Sequence, residues 1–140
     1  MKNIVKIIAI VALCILTSCK KNGGGSDSIC ADWQLQSLET KSITVGSETV
    51  DVYLSFQNGG TFSIYQKVGE GRYRHYKGTW TLTGGTLEGQ YADKTSWATS
   101  YSATVSGDVL TLVSKSDKVE TAVYKKTTIP SSVISEAIEK

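Results

Sequence analysis

The sequence predicts an all-β domain: an eight-stranded antiparallel up-and-down barrel followed by a short C-terminal helix. Three observations carry this. Residues 29–129 contain no proline and are rich in Thr, Val, Tyr and Trp. Gly, Asn and Asp turn signals interrupt them every eight to twelve residues or so. Between those turns the apolar residues alternate with polar ones, the period of a half-buried strand. A meander of this kind leaves two sheet edges, and closing it into a barrel removes both.

The strands follow in order. Trp33 to Leu38 is the first, and Val45-Gly46-Ser47 turns the chain into Thr49 to Gln57, where Val50, Val52, Leu54 and Phe56 share a face. Asn58-Gly59-Gly60 leads into Thr61 to Lys67, with Phe62 and Ile64 on the buried side. Gly69-Glu70-Gly71 leads into Arg72 to Leu82, where Tyr76, Gly78, Trp80 and Leu82 are in phase. Arg74 begins that register and is expected near a rim, and Gly78 suggests a bend or a bulge. Thr86 to Tyr91 follows Gly84-Gly85, and Trp97 to Ser106 presents Trp97, Thr99, Tyr101, Ala103 and Val105 on one side. Val109 to Ser114 and Val119 to Lys126 complete the set. Pro130 ends the strand region, and Val133, Ile134, Ala137 and Ile138 form an apolar stripe for about two helical turns from residue 131. Ser131 or Ser132 is a candidate cap, and so short a helix must dock on the barrel to persist.

The N-terminus reads as an address. Lys2 and Lys6 precede ten apolar residues, Ile7 to Leu16, with Thr17, Ser18 and Cys19 after them, the pattern of a secretory signal. Ten helical residues span about 15 Å, roughly half of a bilayer's hydrocarbon core, so this run is too short for a permanent span. Leu16-Thr17-Ser18-Cys19 resembles the lipobox of bacterial lipoproteins. The resemblance implies cleavage after residue 18 and diacylglycerol and palmitate on Cys19, which anchors the chain in the membrane. Several acyl chains hold a protein stably, at about 0.8 kcal/mol per buried CH₂. Lys20, where an Asp would mark inner-membrane retention, implies an outer-membrane location in the cell envelope. Residues 19–29, with Gly23-Gly24-Gly25, read as a flexible tether, and residues 30–140 as the folded domain. With Cys14 removed and Cys19 alkylated, the mature domain is expected to hold by packing with no internal disulfide, and Cys30 reads as a small buried hydrophobe.

Charge and composition exclude several functions. Fifteen Lys+Arg stand against 13 Asp+Glu in 140 residues, and the excess leaves with the signal. No electrostatic footprint for nucleic acid remains. His75 is the only histidine, flanked by Arg74 and Tyr76 on a strand, which is a rim or surface position rather than a triad base. No ligand spacing marks a metal, no cofactor motif is present, and Gly69-Glu70-Gly71 and Gly84-Gly85 lack the Lys-Ser/Thr of a phosphate loop. An enzyme is therefore not expected.

Trp33, the Gly78-Thr79-Trp80 step, Leu87 to Tyr91, Trp97 to Tyr101 and Val123 to Lys126 together resemble the lipocalin-like lipoproteins of the Bacteroides type, across residues 30 to 130. Ala31-Asp32-Trp33 lacks the Gly that lipocalins place two residues before that Trp. An eight-stranded barrel is either filled by its own side chains or holds one small ligand. The inward registers carry Trp33, Phe56, Phe62, Trp80, Tyr91, Trp97 and Tyr101, enough ring volume to fill most of it. A cup at one mouth is the functional alternative, with Tyr73, Trp80, Tyr91, Trp97 and Tyr101 as candidate contacts for a small apolar or amphiphilic ligand and Arg72 or Arg74 meeting an acidic group. The competing reading is a protein-interaction module, an inhibitor or accessory subunit of an envelope complex, docking through the outward-phase Tyr53 and Tyr65.

Overall fold

The computed structural model describes residues 28–40 and 49–140. The signal, Cys19, most of the tether and the Val45-Gly46-Ser47 turn lie outside the described residues. Eight strands form the expected meander: β1 (Asp32–Thr40), β2 (Val50–Gln57), β3 (Thr61–Val68), β4 (Arg74–Thr83), β5 (Thr86–Tyr91), β6 (Tyr101–Ser106), β7 (Val109–Ser114) and β8 (Glu120–Lys126). Each pairs antiparallel with the next, and β8 returns to pair with β1, so the sheet closes. A six-residue helix α1 (Ser131–Glu136) and a two-residue strand β9 (Ile138–Glu139) follow.

Alternation determines the barrel's inside. Val52, Leu54 and Phe56 of β2, Phe62 of β3, Trp80 and Leu82 of β4, and Leu110 and Leu112 of β7 belong to one buried cluster. Val50, in the same phase, is exposed because it begins β2 at the barrel's end. Trp33, Phe62, Leu87 and Leu110 have fully buried side chains. Ile29 joins them, only 3% exposed, and its carbonyl accepts the Trp33 indole N–H at 2.9 Å. Ile29 is thus part of the core rather than the tether, and the chain enters the barrel at this packed end. Lys126 lies over the Trp33 ring, 5.5 Å from its centroid, as a lid on the same end.

The glycines divide by role. Gly84 and Gly85 link β4 and β5 with φ of 56° and 80°, the backbone that favours tight hairpins. Gly78 is neither bulged nor a register break: its partners Phe62 and Tyr91 fall in continuous register on either side. It is a site of close approach, since a Cβ there would lie 2.0 Å from the Gln90 carbonyl oxygen. The register shift falls in β1, between Leu35 and Ser37.

Three expectations change. Trp97 to Ser100 is not strand. Asp93 receives the Thr95 N–H at 2.8 Å, Lys94 adopts φ 75°, and the chain folds back so that Trp97 N–H donates to Gly89 O at 2.9 Å. Only Thr86↔Ser102 and Leu87↔Tyr101 join β5 to β6, the loosest seam in the barrel. The C-terminal helix is also shorter than its apolar stripe. Pro130 is its N-cap and no side chain caps it, Ala137 is extended, and Ile138 is in β9, parallel to β4. Pairing gives the Ile138 and Lys140 amides the carbonyls of Tyr73 and His75, at 2.9 and 3.0 Å, and this stops the helix. Third, Cys30 is disulfide-bonded, with its partner outside the described residues. Both other cysteines, Cys14 and Cys19, lie outside the described residues.

Tyr53 and Tyr65, expected on the bare outer face, are 8% and 7% exposed. They do point outward, as a cross-strand pair. Ile129 and Val133 of the C-terminal segment cover them, with Tyr73 and Ala137 at the margin. Tyr65 also stacks on His75, ring centroids 4.5 Å apart. The C-terminal segment is therefore a strap that runs over β2 and β3 and ends beside the start of β4.

Candidate functional site

The barrel is packed at one end and hollow at the other. Beyond Phe56 and Leu54, toward the end where β5 finishes and β6 begins, a cup of about 220 Å³ remains open to solvent. Its floor and walls are Leu54, Phe56, Ile64, Leu112 and Ala122, all in inward registers. Tyr124, deeper along β8 than Ala122 and paired with Leu110, closes the bottom, and the rim is aromatic and acidic: Tyr91, Trp97, Tyr101 and Glu120. This volume lies just under the roughly 300–1,000 Å³ of drug-sized pockets, so the cup suits a small ligand.

The rings interlock. Trp97 meets Phe62 edge-to-face at 5.0 Å and Tyr101 at 6.0 Å, while Tyr91 meets Phe62 at 5.9 Å. Trp97 is held from behind by Gly89, over which its indole lies. The Trp97 Nε1 donor is buried and has no hydrogen-bond partner among the described residues. Burial raises the Tyr91, Tyr101 and Tyr124 phenols above their ordinary range, with Glu120 adding to the effect at Tyr101 and Tyr101 at Tyr124. All three stay neutral at physiological pH, and Glu120 is the one acidic or basic side chain lining the cup among the described residues.

The sequence-predicted candidates separate into three places. Tyr91, Trp97 and Tyr101 come together in the cup as expected. Trp80 lies behind it, edge-on to Phe56 at 5.5 Å, its indole N–H donating to Thr61 O at 2.8 Å. Tyr73 is not with them: it faces outward, 6.1 Å from Tyr53, and donates its hydroxyl proton to Asp51. Its phase, shared with His75 on the face opposite Arg74, is the signal for that placement. Arg74 lines a second, open recess of about 440 Å³ with Gln66, Arg72, Tyr76 and Ile138. This recess shares no lining residue with the cup, and the Tyr76 and Tyr91 rings, 6.1 Å apart, stand between the two. Arg72 is engaged by the strap, donating to Glu136 O at 3.2 Å.

Sequence reasoning missed Glu120 and Tyr124. Their signal was present, since both share the alternation of Ala122 in β8. His75 lies outside the barrel, between Glu139 (2.6 Å from Nδ1) and Ser63 (3.0 Å from Nε2). Among the described residues no three His, Cys, Asp or Glu side chains converge in a way that could hold a metal ion. No helix of the described residues is long and apolar enough to cross a membrane.

The class the fold defines is a closed eight-stranded antiparallel up-and-down barrel with one hollow end. The lipocalin-like domain family model matches residues 29–112, more than half of the chain, and the chain belongs to that family. Comparison with curated proteins gives no match. Among solved structures the chain is similar to the REP1-NXSQ fatty acid transporter, at 17% identity and a TM-score of 0.44, covering 73% of this chain and 98% of that one. Fatty-acid-binding protein 1 of Echinococcus granulosus is similar at 14% identity and a TM-score of 0.42, covering 71% and 98%. The fluorescent protein UnaG, in mutant form, is similar at 14% identity and a TM-score of 0.44, covering 72% and 97%.

Proposed function

We propose that this chain is a lipid-anchored envelope protein whose lipocalin-like barrel binds one small apolar or amphiphilic ligand without turnover. The observation that carries the reading is the cup itself. A barrel with Trp33, Phe62, Leu87 and Leu110 sealed into one end keeps about 220 Å³ empty at the other, walled by aliphatic and aromatic side chains. Leaving such surface uncovered forgoes burial worth about 25 cal/mol per Å², which a ligand would recover. Tyr91, Trp97 and Tyr101 are the ligand contacts in this reading, and Trp80 backs the floor through Phe56.

Titration of the full chain, kept free of lipid as the Cys19→Ala variant, with 1-hexanol tests the cup. Saturable binding that Ala122→Phe abolishes is expected, and no binding by the unfilled cup overturns the reading. The anchor rests on the lipobox-like Leu16 to Cys19 string and is tested separately. Mass spectrometry of the mature N-terminus is expected to give an acylated Cys19, and an unmodified Cys19 overturns it.

A further inference from the structure

We infer that the cup selects a ligand whose polar end is an organic ammonium rather than a carboxylate, with a short apolar tail directed inward. The inference rests on the cup being a ligand site, and deepens that reading by giving the ligand its charge.

The lining is graded from bottom to top. Leu54, Phe56, Ile64 and Leu112 make an apolar floor without a charge. The rim gathers Tyr91, Trp97 and Tyr101 around one opening, with Glu120 as its charged member among the described residues. Aromatic faces carry negative electrostatic potential, and several of them around one opening attract a cation placed within about 6 Å of the ring centroids. A carboxylate at the rim supplies the matching negative charge. An anionic headgroup in the same place meets that carboxylate and the negative ring faces, and no arginine, lysine or histidine lines the cup among the described residues. The guanidinium groups of Arg72 and Arg74 line the separate recess beyond Tyr76.

A head-to-tail orientation follows. The tail lies on Leu54 and Ile64, and the ammonium stays at the rim, where it keeps part of its hydration while touching the Trp97 and Tyr101 faces.

Three probes of equal chain length separate charge from apolar burial: hexyltrimethylammonium, 1-hexanol and hexanoate, each titrated into the full-length Cys19→Ala chain at low salt. Hexyltrimethylammonium is expected to bind at least about tenfold more tightly than hexanoate, with 1-hexanol between them. Glu120→Gln is expected to narrow the ammonium-to-hexanoate gap severalfold. Tyr101→Leu, which keeps the volume apolar, is expected to weaken the ammonium probe more than 1-hexanol. Hexanoate binding as tightly as the ammonium overturns the inference and leaves the cup as a ligand site. A gap unaltered by Glu120→Gln overturns it as well. Binding by none of the three overturns the cup itself and this inference with it.

Discussion

The indole of Trp97 lies directly on Gly89: a Cβ at position 89 would come within 2.2 Å of Trp97 Cε2 and 2.4 Å of Cζ2. The Trp97 N–H donates to the Gly89 carbonyl at 2.9 Å, so backbone and side chain hold the ring at the same spot. Gly89→Ala therefore has to push the indole into the cup or lift the loop that carries it. We expect a stability loss of about 1–3 kcal/mol by denaturant titration, and weaker 1-hexanol binding. An alanine variant with unchanged stability and unchanged affinity would show that the ring is not seated on Gly89.

The indole nitrogens of Trp33 and Trp97 differ in a way that a pair of substitutions reads out. Trp33 Nε1 has the Ile29 carbonyl at 2.9 Å, whereas Trp97 Nε1 is buried without a partner among the described residues. Trp33→Phe breaks a buried hydrogen bond and leaves a carbonyl unpaired, while Trp97→Phe removes a donor that already costs about 1–3 kcal/mol of desolvation. Trp97→Phe should therefore be the milder change by at least about 1 kcal/mol in urea unfolding. Equal losses would contradict the assignment.

Val133, 6% exposed, packs with Ile129 on Tyr53 and Tyr65. Burial of a valine contributes about 1.5–3 kcal/mol, and an aspartate in its place adds a desolvated charge. Val133→Asp is expected to release the strap while the barrel stays closed. The readouts are lost protection of the Ile138 and Lys140 amides in hydrogen exchange and greater solvent access to Tyr53 and Tyr65. Full protection of both amides in the variant would refute the docking described here.

Acid should loosen the same strap. Hydrogen bonds from His75 and then Lys77, at 2.6 and 3.2 Å, hold the Glu139 carboxyl below its ordinary range. A carboxylate depressed in the folded state contributes stability that is present above its unfolded value, about 4.3, and is lost as pH falls through the folded value. Ile138 and Lys140 amide protection, corrected for intrinsic exchange, is expected to drop below about pH 4 relative to the strands. Glu139→Gln should flatten that dependence, and the same drop in the Gln variant would assign it to another group.

Alternation was a sound guide to which residues face inward and a poor one to what covers the outside. Leu54, Phe56, Phe62, Leu110 and Leu112 were legible because a strand's period is two and the turns between strands are chemically marked. Tyr53 and Tyr65 were legible as outward, yet their burial depends on a strap seventy residues later in the chain, and no local pattern encodes that contact. Trp97 kept the inward phase of a strand it does not belong to, because Gly89, lacking a side chain, gives its ring a seat that strand pairing would not. Glu120 was overlooked for the opposite reason. A carboxylate in an inward register reads as a strand end, and only the open end of the barrel makes it part of a site.

Ile29 lies under Trp33 at the sealed end, and the cup opens at the far end. The described chain therefore enters the vessel at its base, while a molecule that enters the cup does so at the top. Entrance of the chain and entrance of a guest are on opposite ends, so neither obstructs the other.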